Sequence, residues 1–134
     1  YVYGVPQLMM SVTRSSDINR TPDIRSRAIL PEWACTITVS FIKPIIKEKS
    51  VANLLAAGGI TAGIGDWRVE KGSGSYGTYK LVSLDDPDFV RVMKMGKDAQ
   101  DAALLNPTTY DDETESLLEW FKAETVERGF SATV

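Results

Sequence analysis

The 134-residue sequence contains no histidine and a single cysteine, Cys35. Without histidine the chain cannot build Ser-His-Asp or Cys-His nucleophile pairs, and it lacks the commonest general base near neutral pH. One cysteine and no histidine also argue against a transition-metal site. We therefore predict a non-enzymatic protein without catalytic residues, a metal or a cofactor. Carboxylate chemistry by Asp66 and Glu70 stays open, although nothing in the sequence selects it.

Long apolar runs are missing too. No stretch approaches the roughly 20 residues that cross a bilayer, and the N-terminus does not resemble a signal peptide. We therefore expect no membrane partner. A lone cysteine cannot form an internal disulfide, which favours a reducing, cytoplasmic setting. We expect Cys35 to be a small buried hydrophobic residue. The start at Tyr1 instead of methionine leaves open that the chain is a fragment of a longer protein.

The charges are distributed unevenly along the chain. Residues 1–84 carry ten lysines and arginines against six acids, a balance of +4, whereas residues 85–134 carry five against twelve, a balance of −7. Together they give the net charge of −3. Either these charges only cover solvated surfaces, or the basic part binds a polyanion while the acidic part contacts a neighbour.

Composition and pattern predict a single α+β domain over residues 1–134. Hydrophobic residues make up 43% and charged residues 25%, which are ordinary globular values. Residues 1–84 would hold a sheet and a glycine-rich loop, and residues 85–134 an acidic helical portion. Alternation and β-branched residues predict strands at 1–12, 33–43 and 76–84.

Between the first two predicted strands lies a polar segment, residues 13–32, interrupted by Pro22 and Pro31. We expect a long, mobile connection there. It contains Arg25 and Arg27, and loops of this length usually have a function.

Three helices are predicted by their end signals and apolar spacing. The first opens at Lys47 or Ser50 and stops at Gly58-Gly59. The second has Asp86 as its cap and Pro87 at its first position. The third follows Thr109, with Leu117, Leu118 and Phe121 inward and Trp120 outside that stripe.

The stretch "GIGDWRVEKGSGSYGTYK", residues 63–80, contains five glycines. Glycines let main-chain N–H groups approach phosphate oxygens and form an anion-binding concavity. Arg68, Lys71 and Lys80 would supply counter-charge, while Trp67 and Tyr76 would stack unpaired bases. The alternative is a glycine-rich turn, with Arg68 paired to a neighbouring carboxylate.

The order strand, strand, helix, glycine-rich loop, strand matches the second part of a ferredoxin-like domain, an antiparallel sheet with helices on one face, here with a C-terminal helical extension. The predicted first helix ends in glycine and is followed by Gly63-Ile64-Gly65, a charged spacer and "GSGSYG", which leads into a predicted strand. This order resembles the glycine-rich loop of the RAMP superfamily of CRISPR effector complexes. The stretch 31–83 is also similar to a group of uncharacterised bacteriophage and prophage proteins. The resemblance implies RNA binding. RAMP ribonucleases commonly use a histidine, so it favours a binding protein over a nuclease.

Two functions follow as hypotheses. The first is a phage-type protein, in a bacterial host cell and as part of an oligomer, that binds single-stranded nucleic acid. Its proposed contacts are Arg25, Arg27, Trp67, Arg68, Lys71, Gly72, Gly74, Tyr76 and Lys80. The second is an assembly or inhibitor module that binds protein through the acidic last helix. Its proposed contacts are Asp111, Asp112, Glu115, Glu119 and Trp120.

Overall fold

Four strands form two antiparallel pairs in the computed structural model, which describes residues 1–14, 18–72 and 74–130. Strand β1 (Val2–Tyr3) pairs with β4 (Ala34–Cys35), and β2 (Gln7–Arg14) pairs with β3 (Pro22–Ile29). Three α-helices accompany these strands. The chain is therefore α+β, as predicted at this coarse level.

The chain divides into two compact units. The first unit contains residues 1–36 and 90–134, and the second contains residues 37–89. All four strands belong to the first unit. The single-domain arrangement stays a prediction.

The expected mobile connection over residues 13–32 is wrong for the part that forms β3. Residues 22–29 pair with β2 over its whole length, so Arg25 and Arg27 lie on a strand and not on a loop. Beyond Pro22, the apolar side of β3 carries only Ile24 and Ala28. This alternation of apolar and polar residues is too weak to predict a strand from the sequence. Residues 15–17 of the segment lie outside the described residues.

Helix α3 (Asp112–Glu127) is anchored to the outer edge of β2. The Met10 N–H donates to the hydroxyl of Thr114 over 3.1 Å, and Thr114 is fully buried. On the same edge the Leu8 N–H donates to the Thr108 carbonyl over 2.8 Å, and the Tyr110 N–H donates to the Leu8 carbonyl over 2.9 Å. These bonds satisfy backbone groups that β3 does not reach.

Helix α2 (Pro87–Leu105) begins as predicted. The Asp86 carboxylate accepts from the N–H groups of Asp88 and Phe89 over 3.1 and 3.0 Å. The helix is interrupted at Gly96, whose φ of 66° and ψ of −174° are not helical. A residue with a side chain rarely adopts that conformation, so glycine belongs here for a backbone reason.

Helix α1 (Glu48–Thr61) runs through its predicted stop at Gly58-Gly59. A Cβ built on Gly59 would lie 2.2 Å from the Tyr79 carbonyl oxygen. Gly59 therefore permits a close approach of the following chain instead of ending the helix. The helix ends at Thr61, and Gly63, two residues on, closes the last turn: it has φ +72° and donates its N–H to the Gly58 carbonyl over 2.9 Å.

Two of the predicted strands are mostly or entirely irregular. Of residues 33–43 only 34–35 are strand, and residues 76–84 are turn and irregular chain. Alternation alone does not make a strand without a partner edge, and within the described residues only Ala34 and Cys35 of these segments pair with another strand. Cys35 itself is half-buried and not fully buried as predicted. Within the described residues, no helix has both the length and the apolarity needed to traverse a bilayer.

Candidate functional site

The glycine-rich stretch, residues 63–80, forms a loop whose two ends are joined through backbone (the glycine loop). The Ile64 N–H donates to the Gly77 carbonyl over 2.8 Å, and a Cβ on Gly77 would lie 1.9 Å from the Ile64 carbonyl oxygen. The Tyr79 N–H donates to the Gly59 carbonyl over 3.1 Å. The base of the loop is thus a close backbone contact that only glycine at position 77 allows.

A short 3-10 helix, Val69–Lys71, supports the middle of the glycine loop. The Glu70 N–H donates to the Ala62 carbonyl over 3.2 Å, which ties the helix to the end of α1. Gly72 ends it in the left-handed conformation, with its N–H on the Val69 carbonyl over 2.9 Å. These N–H groups are therefore occupied by the protein's own carbonyls.

Gly72 and Gly74 lie where the glycine loop faces open space. No atom lies within 4 Å of a Cβ built on either residue, and both have positive φ. Ser73 between them lies outside the described residues. The exposed part of the loop is thus its tip, whereas its base is packed against α1.

The two aromatic residues predicted to stack bases stack on each other. The rings of Trp67 and Tyr76 are 5.5 Å apart between centroids and inclined by 12°. They remain 41% and 37% exposed, respectively. This pair holds the two sides of the loop together while keeping part of its aromatic surface in solvent.

The predicted cations of the glycine loop differ in their surroundings. Arg68 donates from Nε to Glu70 over 2.8 Å and from Nη1 to the Gly65 carbonyl over 3.2 Å. This guanidinium holds the pKa of the Glu70 carboxyl below its usual value, first through the hydrogen bond and then through its charge. Lys80 lies 3.9 Å from an Asp88 carboxylate oxygen. Arg68 is therefore a structural residue of the loop, as the alternative interpretation expected.

In the first unit the strand register divides the β2–β3 hairpin into two faces. Met10 lies opposite Ser26, while Ser11 lies opposite Arg25 and Met9 opposite Arg27. Since side chains alternate along a strand, the two arginines share a face with Met9 and Ser11 and not with Met10. We call this side of the hairpin the arginine face.

The opposite face of the hairpin and α3 enclose a groove of about 730 Å³ (the aromatic groove). Its lining is mainly apolar and comes entirely from the first unit. It consists of Leu8, Met10, Pro22, Asp23, Ile24, Ser26, Leu118, Trp120, Phe121, Glu124, Thr125, Arg128 and Phe130.

Three aromatic residues dominate the exposed surface of the aromatic groove. Trp120 and Phe121 are each 52% exposed, and Phe130 is 66% exposed. The prediction that Phe121 packs inward is wrong: Phe121 lies two turns after Thr114 on the same side of α3, but there it lines the open groove and stays 52% exposed. Phe130 was missed, since it lies beyond the periodic part of the helix and its spacing carries no signal.

The acids predicted at a protein interface are distributed around α3. Asp111 caps the helix by accepting from the Thr114 N–H over 2.8 Å, and hydrogen bonds from Thr114 lower the pKa of its carboxyl. Asp112, Glu115 and Glu119 are exposed on the helix. Asp111 thus has a structural role, and the other three contribute negative charge to the surface of α3.

Apolar exposure extends well beyond the aromatic groove. Among the described residues, only Met10, Ala34 and Val92 form the buried apolar core, whereas twenty-four large apolar or aromatic side chains are exposed. Isolated exposed hydrophobic residues are normal, but contiguous apolar patches mark interaction sites. Of these exposed side chains, Trp120, Phe121 and Phe130 lie together on one concave surface, the aromatic groove.

Comparisons with known proteins give no relative from which a role for these residues could be taken. The chain matches no family model, and no similar curated protein or solved structure was found.

The ranges 1–14, 18–72 and 74–130 contain no cluster of three or more acids or cysteines able to hold a metal ion.

Proposed function

We propose that this protein is a non-enzymatic subunit of a protein assembly, in which copies of the chain associate through the aromatic groove. One observation carries this proposal: Trp120, Phe121 and Phe130 line a single concave apolar surface while more than half exposed. Tryptophan and other aromatic residues are enriched at the energetic centres of protein interfaces.

The chemistry of the aromatic groove favours a protein occupant. Its polar rim contains the Glu124–Arg128 ion pair, with 2.7 Å between Arg128 Nε and the carboxylate oxygen. An apolar centre with a polar rim is the usual anatomy of a protein interface. A second copy is a suitable occupant because residues 1–84 of one chain are basic, whereas residues 85–134 of the other, which include α3, are acidic. Opposite charges on the two surfaces favour their association.

Sedimentation velocity over a range of protein concentrations tests this function. Wild-type protein should shift from monomer to larger species as concentration rises, and Trp120→Ala should keep it monomeric. Leu54→Ala, which removes an apolar side chain from α1 that is 70% exposed, is the control and should associate like wild type. Wild-type protein that stays monomeric at every concentration would contradict the proposal.

Binding of single-stranded nucleic acid by the glycine loop is a second candidate function. It is supported by the open surroundings of Gly72 and Gly74 and by the partly exposed Trp67–Tyr76 pair. The loop's formal charge is only +1, because Asp66 and Glu70 offset two of its three cations. The ferredoxin-like, RAMP-type relationship and the bacteriophage origin belong with this candidate and are likewise proposals.

Fluorescence anisotropy with labelled single-stranded RNA and DNA tests the second candidate. Binding should weaken steeply as salt rises, because phosphate contacts release counterions. Lys71→Glu should weaken it further, whereas Lys49→Glu, the same charge change on α1, should not. Equal affinities for the two variants would remove the glycine loop from this role.

A further inference from the structure

We infer that association is head to tail: the aromatic groove of one copy receives the arginine face of the next. This inference rests on the proposed function and names the surface that enters the groove. It uses two surfaces of the first unit that lie on opposite faces of one hairpin. It assigns Arg25 and Arg27 to a protein contact.

The register of the hairpin separates these two surfaces. The groove side carries Leu8, Met10 and Ile24, whereas the arginine face carries Met9 and the arginines. Neither Arg25 nor Arg27 lines the groove of its own chain, because both start on the other side of the sheet. The two arginines are therefore placed to contact the groove of a second copy.

The side chains of the two surfaces are complementary. A guanidinium stacks favourably on an indole ring, and Trp120 presents an indole that is 52% exposed. Met9, opposite Arg27 on the arginine face, supplies a thioether that packs well against aromatic rings. The arginine face thus offers both a cationic and an apolar contact to the groove.

Charge complementarity supports the same pairing. Helix α3 carries six carboxylates against one lysine over residues 112–127. Glu113 and Glu127 precede and follow Trp120 by seven residues, so helical spacing puts them on the same stripe as the indole. A copy that brings Arg25 and Arg27 to Trp120 therefore meets carboxylates on both sides of the ring.

Contacts between two different surfaces have a geometric consequence. A symmetric dimer uses one patch twice, whereas a head-to-tail contact leaves one groove and one arginine face unused at the ends of every open oligomer. Growth then continues until a ring closes or a filament forms. The expected species are accordingly larger than dimers.

Mixing two variants tests this arrangement. Trp120→Ala disables the groove, and Arg25→Glu combined with Arg27→Glu disables the arginine face, so each variant alone should be monomeric. An equimolar mixture should form a dimer with one copy of each, of twice the monomer mass, because one intact groove and one intact arginine face remain. Lys94→Glu with Lys97→Glu, the same charge change on α2, should assemble like wild type. Circular dichroism of each variant verifies that it folds.

The outcomes separate this inference from the proposed function. If Trp120→Ala is monomeric but the double arginine variant still associates, the groove functions and the head-to-tail contact is wrong. A mixture that stays monomeric also overturns it. Glu113→Lys with Glu127→Lys provides a second groove-side variant that keeps the indole. Association of that variant should fail alone and return when both arginines are also changed to glutamate in the same chain.

Discussion

Thr114 and Met10 connect α3 to the hairpin through one buried hydroxyl, which accepts the Met10 N–H over 3.1 Å. The two residues are 104 positions apart in the chain. Thr114 is the only buried polar residue among those described. The position of the aromatic groove between α3 and the hairpin depends on this contact.

Thr114→Val should destabilise the protein by about 1–3 kcal/mol, because valine preserves the shape but leaves the Met10 N–H buried without an acceptor. Chemical denaturation measured by far-ultraviolet circular dichroism gives the change. Ser116→Ala removes a hydroxyl on the exposed side of the same helix and should have little effect. Equal stabilities for the two variants would show that the Thr114 hydroxyl contributes nothing.

Asp111→Ala should lower the melting temperature by a few degrees, since the Thr114 N–H loses its acceptor at the start of α3. Asp111→Asn keeps an acceptor oxygen and should lose less. Thermal melts at neutral pH compare the variants, and a larger loss for asparagine than for alanine would contradict the capping role.

The same aspartate should make stability depend on acid. Its pKa is lowered in the folded protein by the hydrogen bonds from Thr114. The stabilisation is therefore complete above the ordinary carboxyl value of 3.8 and is lost as the pH falls through the lower folded value. Melting temperatures between neutral pH and pH about 2 should fall less steeply for Asp111→Asn than for wild type. Parallel curves would mean that another group titrates.

Gly96→Ala should destabilise the protein by about 1–3 kcal/mol, because alanine disfavours the φ of 66° and ψ of −174° found inside α2. Ordinary helical glycines behave in the opposite way, and alanine replaces them with a gain of about 1 kcal/mol. Open space around Gly96 excludes a steric clash as the cause. Denaturation curves of Gly96→Ala and wild type therefore show whether α2 is interrupted at residue 96. A higher free energy of unfolding for Gly96→Ala would indicate a continuous helix.

Salt should weaken self-association without abolishing it. Raising sodium chloride from about 0.05 to 0.5 M screens the carboxylates of α3 from the arginines but leaves the apolar contact of Trp120 intact. Sedimentation at both salt concentrations should show a larger dissociation constant at high salt. Association that strengthens or stays constant would point to an interface without these charges.

The elements that the sequence predicted well depend on neighbouring residues. Asp86 and Pro87 form a helix start within a few positions, so the start of α2 was visible in the chain. The mutual stacking of Trp67 and Tyr76 is not visible in the sequence, although the sequence marks both residues as candidate contacts. Their residue types show that both carry an aromatic ring. Their separation in the sequence does not show that the loop folds back and brings the two rings together.

The aromatic groove illustrates what local pattern cannot reveal. It exists because β3 pairs with β2 and α3 is anchored at Met10, and both are contacts between distant segments. The position of Trp120 outside the apolar stripe of its helix is the one local signal of an exposed aromatic surface. Nothing local indicated that Ile24 and Phe130 would line the same surface.

The closed base of the glycine loop has a consequence for how this chain can vary. Because Gly77 contacts Ile64 and Gly59 contacts Tyr79 through backbone, both positions should reject every other amino acid in a saturation library. The tip around Gly72 and Gly74 has no such neighbours, and asparagine should be accepted there. Peptide tags of different lengths inserted at that tip should therefore leave the remainder of the second unit folded, which makes it a convenient attachment point for labels.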